Sequence, residues 1–307
     1  MNDPTEPNPV LAIVGPTASG KGALARAVAS RLGAEILSLD SMKVFRGLDV
    51  GTAKPSAAAR AETPWHLLDL ADAGEEFSVR RWLDAAEAAL ADVRTRGRRA
   101  IFSGGTALYL QSLRRGLFEG PPADWPLRER LAAEGAPALF ARLREIDPAA
   151  AARIEPNDLR RLVRAHEVHA LTGRPISALR REWTEGPDRH PLFVVGIRRA
   201  REDIYARIDR RVLRMFDEGL VAEVRGLLAA GVAFGRTASQ ALGYREILAH
   251  LEPGGPGLDA TIEQLQRRTR QFAKRQLTWF RKMTFIEWVD AGPDDTVDEV
   301  ARRLPLA

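Results

Sequence analysis

The sequence contains no cysteine, which excludes disulfides, cysteine-ligated metal sites and a thiol nucleophile. Lysine is also scarce, since nearly all of the positive charge is arginine; the lysines are Lys21, Lys43, Lys54, Lys274 and Lys282. No apolar run approaches the roughly 18 residues that a membrane span needs. The beginning of the chain, MNDPTEPNPV, is acidic and proline-rich and does not resemble a signal peptide. We expect a cytoplasmic globular protein with a short disordered start and no membrane partner.

A chain of 307 residues suffices for one large domain or two ordinary ones. The formal net charge of +5 permits a polyanionic partner but does not require one.

The segment GPTASGKG at residues 15–22 nearly matches a phosphate-binding P-loop. Backbone N–H groups of such a loop, together with the N-terminus of the next helix, form an anion site. The Ser or Thr that normally binds Mg²⁺ after the lysine is replaced here by Gly22. A glycine-rich turn with an incidental lysine is the alternative, which the flanking strand and helix patterns disfavour. The predicted phosphate-binding residues are Gly15, Pro16, Thr17, Ala18, Ser19, Gly20, Lys21 and Gly22.

Four apolar runs are typical of buried parallel strands, at residues 10–15, 34–40, 98–105 and 191–197. Helical patterns at residues 21–32 and 79–96 separate the first three runs, so we predict a doubly wound α/β sheet. The strand signal then disappears, and the sequence is helical and rich in Ala, Arg and Leu. We therefore expect a helical insertion at residues 117–189 within a core formed by residues 1–116 and 190–307. From residue 201 onward we expect the chain to be helical again.

Ligands of such sheets bind beyond the carboxyl ends of the strands. Asp40 and the segment at residues 104–106 follow predicted strands, so we expect them near the P-loop. The carboxylate of Asp40 suits a general base or a metal ligand, or equally a helix N-cap. The hydroxyl of Thr106 is available to a ligand, or it only caps a tight turn.

A predicted helix at residues 157–169 places Arg160, Arg161 and Arg164 on one side, which suits phosphate contacts. A solvated helix face is the ordinary explanation of such a cluster. His166 and His169 are close enough on a helix for a metal, but no carboxylate or cysteine completes the site by its spacing. We interpret them as surface or interface histidines.

The segment at residues 261–283 predicts a long amphipathic helix. We expect its apolar side to pack on the core; it carries Leu265, Phe272, Trp279, Phe280 and Met283. The basic side carries Arg267, Arg268, Arg270, Lys274, Arg275, Arg281 and Lys282. This positive charge exceeds what solubility requires and favours nucleic acid as the partner. A helix on a membrane surface is the second interpretation.

Together these segments resemble the bacterial tRNA dimethylallyltransferase (isopentenyl-tRNA transferase) family, from about Leu11 to Val289. The specific motifs are GTAKP at residues 51–55 and AKRQLTWFR at residues 273–281, in the family's order. GPTASGK, DSMKVFRGLDV, GGTALYL, RIEPNDLRRLVRAHEV, DIYARIDRRVLRMFDEGLVAEV and SQALGYREI add to the resemblance. It implies a P-loop nucleotide-kinase-like core with a helical insertion domain.

The resemblance implies transfer of a dimethylallyl group from dimethylallyl diphosphate to N6 of an adenosine in tRNA. That adenosine lies 3′-adjacent to the anticodon, in tRNAs that read codons beginning with U. Mg²⁺ is the implied cofactor, the tRNA anticodon stem-loop is the implied partner, and we expect a monomer. The resemblance also implies that Asp40 is the general base, that Arg211 clamps the diphosphate, and that Thr17 and Lys21 assist. The matching tRNA-contact positions are Asp40, Ser41, Met42, Lys43, Thr106, Arg128, Arg160, Arg161, Leu162, Val163 and Arg164.

The chain departs from the family pattern, which usually has Thr, Gln, His and Gln at the positions of Gly22, Lys43, Trp65 and Arg160. Two alternatives to an active transferase therefore stay open. One is a tRNA-binding relative with impaired catalysis, and the other is a small-molecule kinase. The kinase is disfavoured because phosphoryl transfer relies on Mg²⁺ held by the P-loop hydroxyl.

Overall fold

The structure is a computed structural model that describes residues 9–117, 120–185 and 187–305. Of the expected disordered start, MNDPTEPNPV, residues 1–8 lie outside the described residues, and Val10 belongs to the first strand. The chain divides into two compact units, one formed up to Arg114 and from His190 onward, the other from Arg115 to Arg189. Among the described residues, no helix has both the length and the apolar character to span a membrane.

In the first unit, the described strands form one parallel sheet of six strands. The strands are β1 (Val10–Val14), β2 (Ala34–Leu39), β3 (Trp65–His66), β4 (Arg99–Gly104), β5 (Leu192–Arg198) and β6 (Ile286–Asp290). Their order across the sheet is β3-β2-β4-β1-β5-β6. The sheet confirms the predicted α/β fold class. Because β2, β4 and β1 are neighbours, the loops that follow them meet at one edge.

The helices of the first unit are α1 (Lys21–Leu32), α2 (Ala57–Glu62), α3 (Val79–Thr95), α4 (Ala107–Arg115), α10 (Arg201–Asp217), α11 (Leu220–Ala229), α12 (Tyr244–Leu251), α13 (Leu258–Phe280) and α14 (Val297–Arg302). The second unit contains α5 (Trp125–Glu134), α6 (Ala136–Ile146), α7 (Pro148–Ala151), α8 (Leu159–Thr172) and α9 (Ile176–Glu185). A short 3₁₀ helix at Ala238–Gln240 precedes α12.

The core of the first unit forms because β1 is buried along its whole length and α1 packs its apolar side on the sheet. Leu24, Ala25 and Val28 of α1 are buried in this cluster. Strands β2 and β4 approach each other so closely at their ends that only glycine fits at position 104. A Cβ atom on Gly104 would lie 1.9 Å from the carbonyl oxygen of Leu39. The ends of β2 and β4 are thereby in direct backbone contact, beside the P-loop.

The second unit has its own apolar core, which includes Leu139, Leu143 and Leu162. His166 lies inside it and is only 4% exposed, so the expectation of a surface or interface histidine is wrong. Its Nε2–H donates to the carbonyl oxygen of Leu139 at 2.8 Å, and burial lowers the pKa of its imidazole. A neutral, internally bonded histidine on the buried face of α8 is consistent with that environment.

Two strands were missed by sequence reasoning. β3 consists of two residues, and β6 lies in the region from residue 201 onward that is predicted to be helical. β6 pairs with β5 at the edge of the sheet, and only Ile286 and Val289 of its residues are buried. Edge strands of this kind carry few consecutive apolar residues, so β6 lacks the apolar run that predicts a buried strand.

Candidate active site

The loops after β1, β2 and β4 line a cavity of about 820 Å³ in the first unit. Helices α10 and α13 form other parts of its wall. The cavity therefore lies beyond the carboxyl ends of the strands, where parallel α/β sheets bind their ligands. Of the predicted residues of this unit, the cavity wall includes Thr17, Ala18, Gly20, Lys21, Gly22, Asp40, Ser41, Met42, Lys43, Thr106 and Arg211.

The P-loop connects β1 to α1 and has the backbone of an anion cradle. Ala18 and Gly20 have left-handed φ angles of 63° and 94°, and the N–H of Ser19 donates to the carbonyl oxygen of Pro16 at 3.3 Å. In the first backbone hydrogen bond of α1, the N–H of Leu24 donates to the carbonyl oxygen of Gly20. The preceding amides, including that of Gly22, therefore lie at the helix N-terminus, where they suit an anionic group.

Gln276 of α13 fixes the P-loop to the turn after β4. Its Oε1 accepts the backbone N–H of Thr17 at 2.8 Å, and its Nε2 donates to the carbonyl oxygen of Gly105 at 2.9 Å. Gln276 is 7% exposed. Its side-chain amide thus satisfies buried backbone groups of two loops at once, and it was not among the predicted site residues.

The side of α13 that is buried differs from the predicted one. Leu265, Phe280 and Met283 are buried as expected, but Phe272 and Trp279 are 36% and 49% exposed. The expectation that these two aromatic residues pack on the core is wrong. The buried side of the helix instead includes Thr261, Thr269, Ala273 and Gln276. The buried side of α13 is therefore rotated relative to the predicted one, and it includes Gln276, whose hydrogen bonds the hydrophobic pattern does not reveal.

Asp40 follows β2 and lines the cavity. Its Oδ1 accepts the backbone N–H of Met42 at 2.9 Å, and no helix begins between Asp40 and Ala57. Asp40 therefore stabilises a local turn, and the alternative of a helix N-cap is wrong. Next to it, the Oγ1 of Thr106 accepts the N–H of Ser41 at 3.1 Å. The Thr106 hydroxyl thus joins the loops after β4 and β2, which is more than a local cap.

Lys21, Lys43 and Arg211 surround the carboxylate of Asp40 electrostatically. Burial lowers the pKa of Lys21 to about 7; the charge of Asp40 opposes this shift, and Arg211 and Lys43 reinforce it. Burial likewise lowers the pKa of Lys43 to about 8, again opposed by Asp40. The pKa of Arg211 is lowered by burial and raised by Asp40. Three cations that share one carboxylate make a site in which an anionic ligand is favourable.

Two of the departures from the family pattern are neighbours in space. The Nζ of Lys43 lies 5.8 Å from the ring centroid of Trp65, within the range of a cation–π interaction. Both residues line the cavity. Lys43 and Trp65 therefore form one continuous patch of the cavity wall that differs from the family pattern.

The GTAKP motif is a buried support of the site. The side chain of Lys54 is 1% exposed, and its Nζ donates to Phe45 O, to Asp49 Oδ1 and to Asp69 Oδ1. The N–H of Gly51 donates to the hydroxyl of Tyr244 at 3.1 Å. This lysine therefore positions the loop and does not contact a ligand.

Sequence reasoning also missed much of the positive charge of the cavity. The arginines that line it besides Arg211 are Arg207, Arg210, Arg214, Arg245, Arg268 and Arg275. Of these, the sequence pattern predicts only Arg268 and Arg275, as part of the basic helix. The signal available for α10 was its dense arginine spacing, which a solvated helix face would produce equally well.

In the second unit, Arg128 and Arg164 share one buried carboxylate. Glu167 has a fully buried side chain; its Oε1 accepts Arg128 Nε at 2.8 Å, and its Oε2 accepts Arg164 Nη1. Arg160 and Arg161 are exposed, whereas Leu162 and Val163 are buried in the unit's core. The side chains of Leu162 and Val163 thus position their neighbours and are not themselves a surface for RNA.

The cavity residues permit a metal ion that is bound mainly by the oxygens of a substrate and only partly by protein side chains. In the described parts of the chain, no three His, Asp or Glu side chains converge as a metal site. Asp40 provides a carboxylate, and Gly22 provides no hydroxyl. Mg²⁺ typically binds one or two carboxylates together with substrate phosphates and waters. The donor set therefore fits a Mg²⁺–diphosphate complex better than a metal bound by protein ligands alone.

The parallel sheet, the P-loop and the cationic cavity at the strand ends define a P-loop α/β transferase. The family described as IPP transferase matches residues 43–283, and the one described as isopentenyl transferase matches residues 8–69. The chain belongs to the IPP transferase family.

Relatives match along nearly the whole chain. The tRNA dimethylallyltransferase of Geobacter metallireducens is 46% identical over 285 residues, which are 92% of each chain. That of Anaeromyxobacter dehalogenans is 46% identical and covers 96% of this chain and 98% of its own. The crystal structure of the full-length tRNA isopentenylpyrophosphate transferase of Bacillus halodurans has a TM-score of 0.71 at 37% identity, covering 96% of this chain and 94% of that one. A eukaryotic dimethylallyltransferase acting on tRNA has a TM-score of 0.76 at 26% identity and covers 93% of this chain and 74% of that one.

Proposed function

We propose that this protein is an active tRNA dimethylallyltransferase of the cytoplasm. The observation that carries the proposal is the cavity, in which the P-loop, Asp40 and Arg211 meet. A cradle for a diphosphate and a carboxylate for a proton are the two elements that this transfer needs. The matched relatives bear the names tRNA dimethylallyltransferase and tRNA isopentenylpyrophosphate transferase.

The chemistry follows from the residues. The N6 amine of adenosine attacks C1 of the dimethylallyl group, the C1–O bond breaks, and diphosphate leaves with the bonding electrons. Because the amine lone pair is delocalised into the purine ring, the amine is a weak nucleophile. Asp40 takes the N6 proton, which keeps positive charge from accumulating on the nucleophile.

Stabilisation of the leaving diphosphate is the second role of the site. Amides of the P-loop, Lys21 and Arg211 are positioned around the cradle to receive the developing charge. Mg²⁺, when bound, would add charge neutralisation at the diphosphate oxygens. Asp40 is the side chain of this chain that would help to hold it, with the diphosphate supplying other ligands.

Recognition of tRNA is assigned to the basic residues. Met42 and Lys43 lie in the cavity wall beside Asp40, and Arg160 and Arg161 are exposed in the second unit. The reacting base must leave its stack, which costs less in a loop than in a duplex. An adenosine 3′-adjacent to the anticodon meets this requirement, as the family resemblance implies. The identity of the substrate tRNAs, those reading codons that begin with U, is part of the same proposal.

Radiolabel transfer from dimethylallyl diphosphate to an anticodon stem-loop tests the proposal. At saturating Mg²⁺ we expect label in an RNA with adenosine at the 3′-adjacent position and none in a matched RNA with guanosine there. Absence of transfer to both RNAs, with folded protein, would reject the proposal. Transfer of phosphate from ATP to a small molecule would instead support the kinase alternative.

The matched relatives support neither alternative. They carry the transferase name over nearly the full chain, and an impaired relative or a kinase would need a different match or a disrupted cavity. Lys21, Asp40, Thr106 and Arg211 are all present and line one cavity.

A further inference from the structure

Two arginines donate hydrogen bonds to backbone carbonyls of the P-loop. The Nε of Arg207 in α10 donates to the carbonyl oxygen of Ala18 at 2.9 Å, and the Nε of Arg199 donates to that of Ser19 at 2.9 Å. The two acceptors are consecutive carbonyls in the segment where Ala18 has its left-handed φ. Neither arginine has a role in the transfer described above.

The two bonds fix the directions of loop amides. A trans peptide is planar, so its N–H points opposite to its C=O. The carbonyl of Ser19 and the N–H of Gly20 share one peptide, so the bond from Arg199 fixes that N–H in a direction away from Arg199. Arg207 fixes the preceding peptide, whose Ser19 N–H closes the loop on Pro16. The cradle is therefore organised before a ligand enters.

Arg199 is itself held rigidly. Its side chain is 6% exposed, and its Nη1 donates to Asp203 Oδ2 at 2.9 Å and to the carbonyl oxygen of Gly292. Because Asp203 neutralises the charge of Arg199, the main effect of Arg199 is to orient the P-loop backbone. Arg207 is also one of the residues that line the cavity.

The guanidinium groups also approach the N-terminus of α1. A Cβ atom on Gly20 would lie 3.6 Å from Arg207 Nη2 and 3.8 Å from Arg199 Nη2. Two positions further on, Gly22 lacks the hydroxyl that P-loops use to hold Mg²⁺ on phosphates. Other P-loops recruit positive charge through that metal, whereas here the guanidinium of Arg207 places positive charge beside the same helix N-terminus.

We infer that Arg199 and Arg207 form a clamp that lets the cradle bind diphosphate without a divalent metal, offsetting the missing hydroxyl at Gly22. The inference rests on the proposed function and deepens it, since the diphosphate is that of the prenyl donor. Arg199 is a positioning residue, and Arg207 is both a positioning residue and a contact of the diphosphate.

Calorimetric titration of the full-length protein with inorganic diphosphate in EDTA, without RNA, tests the clamp. The native protein is expected to bind, and Arg199→Ala and Arg207→Ala are each expected to weaken binding about tenfold, the effect of about 1.4 kcal/mol. Arg198→Ala is the matched control, because Arg198 is adjacent and ion-paired with Asp290 but does not touch the loop. Its dissociation constant should stay within about twofold of native. If thermal unfolding shows that Arg199→Ala does not fold, the half-buried Arg207 decides the test.

Gly22→Thr provides the complementary measurement. A Cβ atom on Gly22 would meet nothing within 4 Å, so the side chain fits. Mg²⁺ is expected to tighten diphosphate binding more in this variant than in the native protein. Native binding that requires Mg²⁺, or Arg207→Ala binding that equals that of Arg198→Ala, would overturn the inference. Failure of the proposed function would appear separately, as intact diphosphate binding without transfer to RNA.

Discussion

The backbone N–H of Thr17 donates to the Oε1 of Gln276 at 2.8 Å, although 259 residues separate the two in sequence. The bond joins the P-loop to α13, and the same side chain continues to Gly105 after β4. One buried amide therefore sets the distance between the two loops that border the reaction site. The basic C-terminal helix therefore helps to hold the P-loop in place, in addition to the RNA contact that its charge predicts.

Gln276→Ala is expected to raise KM for dimethylallyl diphosphate about tenfold, because it leaves two buried backbone groups without partners. Steady-state transfer assays at fixed RNA concentration measure this effect. Gln266→Ala on the same helix is the control, since Gln266 does not line the cavity. Equal KM values for the two variants would show that the bridge does not organise the donor site.

Binding of the donor is expected to protonate Lys21. Its pKa is about 7 in the free protein, so at pH 8.5 the side chain is mostly neutral, and an adjacent diphosphate favours its charged form. Calorimetry with dimethylallyl diphosphate in two buffers of different ionisation enthalpy should show uptake of roughly one proton beyond that of Lys21→Met. Equal proton uptake by the native protein and the variant would contradict the assignment.

The same lowered pKa affects stability in the absence of ligand. Between pH 7 and the higher pKa of the unfolded chain, the unfolded state binds more protons at Lys21 than the folded state does. The contribution of Lys21 to the free energy of unfolding therefore rises with pH across that window. Urea unfolding at several pH values should show this rise in the native protein, and Lys21→Met should lack its share of it.

Lys43 is expected to contribute one pH-dependent phosphate contact. At pH 7, Lys43→Gln should reduce the salt slope of anticodon stem-loop binding by about 0.7, the value for one contact to a single strand. At pH 9 the two slopes should converge, because the pKa of Lys43 is about 8 and the native side chain is then mostly neutral. Arg46→Gln, outside the cavity wall, serves as the control. Slopes that stay different at pH 9 would contradict the role.

Glu167→Gln is expected to lower the free energy of unfolding by about 3 kcal/mol, since it removes the shared acceptor of Arg128 and Arg164. Burial alone would raise the pKa of Glu167, but hydrogen bonds from the two arginines outweigh it, and the pKa is lowered. The stabilisation is therefore present at neutral pH and is lost as the pH falls through the folded pKa. Urea unfolding measures both effects.

Glu155→Gln is the matched control for that measurement. Glu155 lies in the same unit and is exposed, so its substitution should leave stability within about 0.5 kcal/mol of native. Equal stabilities of the two variants would show that the Glu167 cluster does not hold the unit together.

The parts of the fold that follow local rules could be read from the sequence. The helix predicted at residues 21–32 is α1, since a glycine at each end and an apolar stripe define it. Asp40 and Thr106 come to the same edge of the sheet because parallel neighbours end together. β6 and the buried side of α13 could not be predicted from the sequence, because both depend on contacts with residues that are distant in sequence.

The burial of the Gln276 side chain shows why such features escape prediction. A glutamine between Arg275 and Leu277 gives no periodic signal, and its burial becomes favourable only once Thr17 and Gly105 offer a donor and an acceptor. The exposed positions of Phe272 and Trp279 follow from the same rotation of α13. Clustered arginines were visible in the sequence of α10, but their convergence on the P-loop depends on the sheet order.

Single-turnover transfer of the dimethylallyl group by Asp40→Asn tests the central claim most directly. The variant keeps the size of the side chain and removes its ability to take the N6 proton. We expect the rate of transfer to an anticodon stem-loop to fall by about 10²–10⁴-fold, the usual contribution of a general base. Diphosphate binding, measured in EDTA so that the metal role of Asp40 does not enter, should stay within about threefold of native. Transfer by Asp40→Asn at the native rate would contradict the assignment of the base and with it the proposed mechanism.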